Sequence, residues 1–164
     1  MRPGERTGRG DRGFTYLGLL FLVALIGLAL ATAGEVAATT ARREREAQLL
    51  WAGHEYRAAI GRYWNQRRSY PMALQDLIGT GGDAKVQLRF LRRLYTDPVS
   101  GGLDWVLVLA PGGGIMGVAS SSKGAPLKTG GFDEADQGFD EAKSYADWKF
   151  TFQPGPVRRR PRTP

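Results

Sequence analysis

RGFTYLGLLFLVALIGLALATAG, residues 12–34, is the stretch that decides how this chain is organised. From residue 14 to residue 34 it holds no charged side chain and is mostly apolar. At about 1.5 Å of rise per residue, a helix over this stretch is about 30 Å long, which is the thickness of the hydrocarbon core of a bilayer. The sequence therefore predicts a transmembrane segment over 14–34.

The residues before this segment predict its orientation. Residues 1–13 carry four arginines against two acidic residues, and basic residues beside a first membrane segment tend to stay in the cytoplasm. We therefore expect a cytoplasmic leader over 1–13 and an extracytoplasmic location after Gly34. A secretory signal peptide is the alternative, because residues 31–33 form a small-x-small site whose cleavage would leave a soluble periplasmic domain.

The helical pattern continues beyond the membrane segment. Residues 35–66 contain no proline and are rich in good helix formers. Apolar residues recur there at intervals of three and four, at Leu49, Ala52, Tyr56, Ala59, Ile60 and Tyr63. Arg42 and Glu46, four apart, are expected to form an exposed pair. The helix should end near residue 67 or 68, before Pro71, and its apolar stripe needs a covering layer.

The remainder of the chain predicts a small antiparallel sheet. Strands are expected at 105–110 and 115–119, joined by the turn at 111–114, and at 148–152, where aromatic and polar residues alternate. Short helical segments are expected at 73–78 and 85–95, the second from a stripe formed by Val86, Phe90, Leu91 and Leu94. The fold class is therefore α+β, with one domain over 35–153 in which the sheet covers the stripe of the long helix.

The chemistry available to the chain is limited. It has no cysteine, which excludes disulfides and thiol chemistry, and its one histidine, His54, is expected at a surface or an interface. The usual nucleophile and metal-hydrolase motifs are missing from the sequence. Residues 112–114 lack the Lys-Ser/Thr of a phosphate loop and are expected to form a hairpin turn. The sequence therefore predicts a protein that is not an enzyme.

Two polar segments leave alternatives open. The loop at 120–145 is long enough to be functional or to be ordered by something it binds. Its carboxylates, with one close to the last strand, fit either a solvated acidic loop or a Ca²⁺ site, and they are Asp133, Glu134, Asp136, Asp140, Glu141 and Asp147. Residues 154–164 predict a disordered basic tail that is either solvated or holds acidic partners, lipid head groups or nucleic acid.

Four local patterns, in this order along the chain, resemble those of the type IV pilin-like proteins, in particular the pseudopilins of bacterial type II secretion. Gly13-Phe14-Thr15-Tyr16-Leu17 is similar to the prepilin peptidase site of that family. Tyr70-Pro71 with Leu74 and Leu77 is similar to its Tyr-Pro-x-x-Leu-x-x-Leu turn. The other two patterns are Asp97-Pro98 followed by Gly101, Gly102 and Trp105, and the final Asp147-Trp148.

The resemblance implies a structural protein rather than a catalytic one. The chain would be a subunit of a periplasmic pseudopilus, made as a precursor, cut after Gly13 by prepilin peptidase and methylated on Phe14. It would cross the bacterial inner membrane once, with its C-terminal domain in the periplasm. Its partners would be the peptidase, other pseudopilins, the inner-membrane assembly platform and membrane lipid, and nucleic acid is not among them. The implied fibre-assembly residues are Phe14, Leu17, Gly18, Leu20 and Gly27. The alternative is a minor type IV pilin in pilus assembly or DNA uptake.

Two positions depart from the family pattern. The fifth residue after the cut is usually Glu, and here it is Gly18, which suggests a minor, tip-located or initiating subunit because a buried carboxylate would otherwise set the register between neighbours. Major pseudopilins also place an Asp-containing calcium loop after the second strand, where this chain reads Ser122-Lys123-Gly124-Ala125-Pro126. Asp147 is the one metal ligand that the resemblance implies, and Ca²⁺ is the one cofactor.

Overall fold

The fold is an α+β arrangement of one long helix and three short strands, given by a computed structural model that describes residues 11–79 and 88–155. The side chains of residues 11–15, 30–33 and 35 also lie outside the description. The elements are α1 (Asp11–Arg67), a 3-10 turn (Leu74–Ile78), β1 (Val106–Leu109), β2 (Ile115–Ala119), two further 3-10 turns (Glu134–Asp136 and Tyr145–Asp147) and β3 (Lys149–Thr151). The chain divides into two compact units, Met1–Arg42 and Arg43–Pro164.

Helix α1 begins within the predicted leader, three residues before Phe14. In the first unit, every large apolar side chain described between Tyr16 and Leu28 is exposed, by 48 to 67% of its surface. Over the side chains that the structure describes, no helix has both the length and the apolar character needed to cross a bilayer. The predicted segment 14–34 includes residues whose side chains are outside that set, so the transmembrane segment stays a prediction.

The sheet is antiparallel with the strand order β1-β2-β3. Strands β1 and β2 form the predicted hairpin, with Val106 opposite Ala119 and an irregularity after Val108. Strand β3 pairs with β2 through Val118 and Phe150. It is shorter than predicted because Trp148 ends the preceding 3-10 turn, to which its backbone N–H donates.

The sheet covers the predicted stripe of α1, which confirms the expected layer arrangement of the second unit. Leu49, Tyr56 and Ile60 are fully buried. Strands β2 and β3 and the loops supply the rest of this core, with Leu77, Phe90, Trp105, Ile115, Val118, Phe139, Tyr145, Trp148 and Phe150. Strand β1 contributes none of these side chains, and its Val106, Leu107 and Leu109 are exposed. A Cβ at Gly53 would overlap the ring of Phe150. A glycine at this position therefore lets helix and sheet approach closely, which a larger residue would prevent.

The predicted helical segment at 85–95 is wrong over the part that the structure describes. Residues 80–87 lie outside the description, and residues 88–95 form bends rather than a helix. The backbone N–H groups of Phe90 and Leu91 both donate to the carbonyl of Leu77, at 2.9 and 2.8 Å. These two residues are buried in the core, so burial of their side chains and bonds to the 3-10 turn replace the local helical bonds that their spacing suggested.

Candidate functional site

The predicted processing and assembly residues all lie on α1, in the first unit. Gly13 and Phe14 belong to the first turn of the helix, where backbone N–H groups have no intrahelical partner. The side chain of Phe14 lies outside the described set. Leu17 and Leu20 are 66% and 49% exposed, and a Cβ at Gly18 or Gly27 would meet nothing within 4 Å. These residues therefore present an apolar, small-residue surface that is open to a partner.

In the second unit the most elaborate polar site joins α1 to the long loop at 120–145. Glu46 on α1 is 4% exposed. Its carboxylate accepts hydrogen bonds from the backbone N–H of Leu127 at 2.8 Å, the N–H of Lys128 at 2.7 Å and the hydroxyl of Tyr145 at 2.8 Å. We call these contacts the Glu46 clasp. The expectation that Glu46 is an exposed residue was wrong, because it lies three residues before Leu49 and so faces the same covered side of the helix.

A second contact ties the same loop to α1 about two to three turns further along the helix. Asp136 in the loop is 2% exposed. One of its oxygens lies 2.5 Å from Nη2 of Arg57, and the other lies 2.6 Å from Nε2 of His54. The Arg57 guanidinium also lies over the ring of Phe150, 5.6 Å from its centroid. We call this the Asp136 clasp. It pairs opposite charges away from water, so removal of either partner would leave a buried charge without its counter-charge.

Between the two clasps the loop is held by aromatic packing. Phe139 stacks on Trp148 with 5.5 Å between the ring centroids and meets the ring of Phe150 edge-on at 5.2 Å. Phe132 contacts both Phe139 and Trp148. The loop was expected either to be functional or to be ordered by something it binds. Within the described residues it packs against α1 and against the rings of Trp148 and Phe150.

The acidic residues of the loop do not gather into a cation site with any other part of the chain that the structure describes. Among the described residues, no three carboxylates or histidines lie close enough together to hold a metal ion. Asp136 faces Arg57 and His54, and His54 is therefore a half-buried partner in the Asp136 clasp. Four other carboxylates within residues 120–145 are exposed, and they are Asp133, Glu134, Asp140 and Glu141.

Asp147, the predicted metal ligand, caps the 3-10 turn that precedes β3. Its Oδ2 accepts the side-chain hydroxyl and the backbone N–H of Ser144, both at 2.9 Å, and the N–H of Lys143 at 3.2 Å. The hydroxyl bond from Ser144 is the main cause that lowers the pKa of Asp147, with the backbone bonds adding to it. The observed role of this carboxylate is therefore a local cap.

Two of the motifs behind the family resemblance act as structural ties. Buried Asp97 accepts the hydroxyl of Ser120, which follows β2, at 2.6 Å, and the N–H of Val99 at 2.9 Å. Gly101 closes this turn with a positive φ of 82°, a conformation that suits glycine. The motif thereby fastens the approach to β1 against the end of β2.

The Tyr-Pro motif fastens the other end of the hairpin. The carbonyl of Pro71 accepts the N–H of Ile115, the first residue of β2, at 2.8 Å. The hydroxyl of Tyr70 donates to the carbonyl of Phe152 at 3.1 Å, and burial raises the pKa of Tyr70. The Tyr-Pro motif therefore joins the sheet to the segment that follows α1, whereas the Asp-Pro motif joins two parts of the hairpin.

Comparisons of the chain with protein-family models, with curated proteins and with solved structures gave no match.

Proposed function

We propose that this protein is a structural subunit of a pseudopilus-type fibre, made as a precursor that prepilin peptidase cuts after Gly13. The observation that carries the proposal is that the two parts of α1 have different surroundings. Its described N-terminal side chains, from Tyr16 to Leu28, are apolar and exposed, whereas Leu49 to Ile60 are buried under an antiparallel sheet. Exposed apolar helix surface of this extent requires lipid or other helices to cover it.

The glycines on the exposed part support the fibre part of the proposal. Gly18 and Gly27 have open space where a side chain would be, and small residues let neighbouring helices approach closely. In this proposal the segment first lies in the inner membrane and later packs among the same segments of other subunits. The domain from Arg43 onward supplies the periplasmic surface of the fibre. No step requires a catalytic residue.

The mature N-terminus tests the proposal. The full chain is expressed with a prepilin peptidase in a bacterial host, extracted from membranes and analysed by mass spectrometry. We expect a chain that begins at Phe14 and carries one methyl group on its amine. Gly13→Asp should block the cut, whereas Gly10→Asp, a matched change within the same leader, should leave it intact.

Two results would contradict the proposal. An uncut chain in the presence of active peptidase would remove the processing claim. A chain that begins at Gly34 would show that the apolar segment is a cleaved secretory signal, in which case no anchor and no fibre core remain.

A further inference from the structure

A groove with exposed aromatic and basic side chains lies beside α1, on the side away from the loop clasps. Two adjoining cavities of about 350 and 650 Å³ share Trp51, Arg93 and Tyr95, and Arg92 lines the second. Trp51 is 53% exposed and meets the ring of Tyr95 edge-on, with 4.8 Å between centroids. We call this surface, formed by Trp51, Arg92, Arg93 and Tyr95, the aromatic groove.

The aromatic groove has the composition of a protein-binding surface. Trp, Tyr and Arg are the residue types that contribute most to binding energy at interfaces. Within the described residues, neither Arg92 nor Arg93 forms an ion pair, although Arg93 lies over the ring of Tyr95, 5.6 Å from its centroid. One carboxylate, Glu55, also lines the groove. Two arginines against one carboxylate give the groove a net positive charge, so it favours an acidic partner.

An acidic surface that fits this requirement exists on the same domain. The exposed carboxylates of the long loop, which we call the acidic ridge, are Asp133, Glu134, Asp140 and Glu141, and none of them is ion-paired among the described residues. The Asp136 clasp and the buried ring of Phe139 fix the loop between them. A ridge fixed in this way loses little conformational freedom when it binds.

The aromatic groove and the loop that carries the acidic ridge contact different sides of α1. Gln48, Trp51 and Glu55 line the groove, while Glu46, His54 and Arg57 hold the loop. At 3.6 residues per turn, the mean directions of these two sets are about 140° apart around the helix. A single flat interface therefore does not bring the ridge and the groove of one molecule against a partner together, and a ridge-in-groove contact between two copies joins different surfaces. Such a heterologous contact leads to an open-ended assembly.

We infer that the acidic ridge of one copy docks in the aromatic groove of a second copy, so that copies join head to tail. The inference rests on the proposed fibre function and names the contact that the domains make in it. It assigns the chain to a repeating position in the fibre rather than to the tip position that Gly18 suggests. Trp51 packs against the loop of the neighbouring copy, and Arg92 and Arg93 pair with its carboxylates. Charge complementarity selects the register of the contact.

Cross-linking tests this contact, and the chain is well suited to it because it contains no cysteine. The full chain carrying both Thr96→Cys, which lines the groove, and Ala135→Cys, an exposed position between the ridge carboxylates, is prepared in detergent micelles and oxidised. We expect a ladder of disulfide-linked dimers, trimers and longer species. The control is Lys149→Cys with Ala135→Cys, which places the first cysteine at an exposed residue of β3 outside the groove and should give no ladder.

Charge reversal separates a specific contact from random collision. Arg92→Glu should reduce the cross-linking yield about fivefold, since a pair of this kind contributes up to about that factor. Asp140→Lys on the same chain should restore the yield, and added salt should lower it in the unreversed chain.

Three results would overturn the inference. These are equal ladders from the test and control pairs, a closed dimer without longer species, and an unlinked chain. An unlinked chain that is cut normally after Gly13 would remove this contact and leave the proposed function in place. A ladder from a chain that the peptidase does not cut would support the contact and contradict the proposed function.

Discussion

Replacement of Glu46 by alanine is expected to release the long loop from α1. The substitution removes the acceptor of three hydrogen bonds, from the N–H groups of Leu127 and Lys128 and the hydroxyl of Tyr145. Hydrogen bonds to a charged group contribute about 1.5 to 3 kcal/mol each when one partner is removed.

The total free energy lost is smaller than the contribution of three full hydrogen bonds, because two of the donors can bind water instead. Leu127 is 39% exposed and Lys128 is half-buried, whereas Tyr145 is 2% exposed. We therefore expect Glu46→Ala to lower the free energy of unfolding by about 3 kcal/mol. Glu46→Gln keeps one acceptor oxygen but turns an NH₂ group toward a donor. We expect it to lower the free energy of unfolding by about 1.5 kcal/mol.

Hydrogen exchange of the full chain in micelles measures this effect at the loop itself. A loss of about 3 kcal/mol corresponds to exchange of the Leu127 and Lys128 amides about a hundredfold faster. Glu44→Ala, an exposed position one half-turn away on the same helix, is the control and should change neither rate. Unchanged exchange at Leu127 and Lys128 in Glu46→Ala, or an equal effect of Glu44→Ala, would refute the clasp as the force that holds the loop.

Three further predictions concern the second clasp, the helix–sheet contact and a buried phenol. Asp136→Asn should lower the free energy of unfolding, measured by chemical denaturation, by about 3 kcal/mol, because it leaves the buried guanidinium of Arg57 without its counter-charge. Asp133→Asn changes an exposed neighbour and should lower it by less than about 0.5 kcal/mol. Gly53→Ala should lower the free energy of unfolding by about 1 to 2 kcal/mol, since the overlap with the ring of Phe150 outweighs the better helix propensity of alanine. Gly34→Ala is the control, because a methyl group added there meets nothing within 4 Å. A melting temperature of Gly53→Ala that is no lower than that of Gly34→Ala would contradict the prediction. Burial raises the pKa of Tyr56 to about 12. The neutral phenol therefore stabilises the folded state fully below its unfolded pKa of about 10, and this contribution is lost as the pH approaches 12. In an alkaline absorbance titration Tyr56→Phe should remove a late-titrating phenol, and the loss of an early-titrating phenol would contradict the prediction.

Local patterns predicted the elements whose formation depends on neighbouring residues. The apolar stripe from Leu49 to Ile60 follows from the 3.6-residue period of a helix, and its burial confirms the pattern. The strand at Ile115–Ala119 was predicted with its observed bounds, because a glycine turn and a run of apolar residues specify a hairpin locally. Pro71 likewise marked the end of the helix within a residue or two.

Contacts between residues far apart in the chain could not be predicted in this way. Glu46 binds amides 81 and 82 positions away, and His54 binds an aspartate 82 positions away, and no local period records such pairs. The segment after residue 88 has a helical spacing, yet the carbonyl of Leu77 takes its backbone bonds.

The sequence by itself determined the long helix, its apolar N-terminal segment, the hairpin and the overall α+β class, because periodicity and turn residues act over a few positions. The tertiary structure alone decided what the acidic residues do. Asp136 and Glu46 are buried ties, Asp147 is a cap, and four other carboxylates form an exposed ridge. The sequence shows only that a residue carries a carboxylate. Its surroundings in the fold decide whether that carboxylate contacts an arginine, an amide or water.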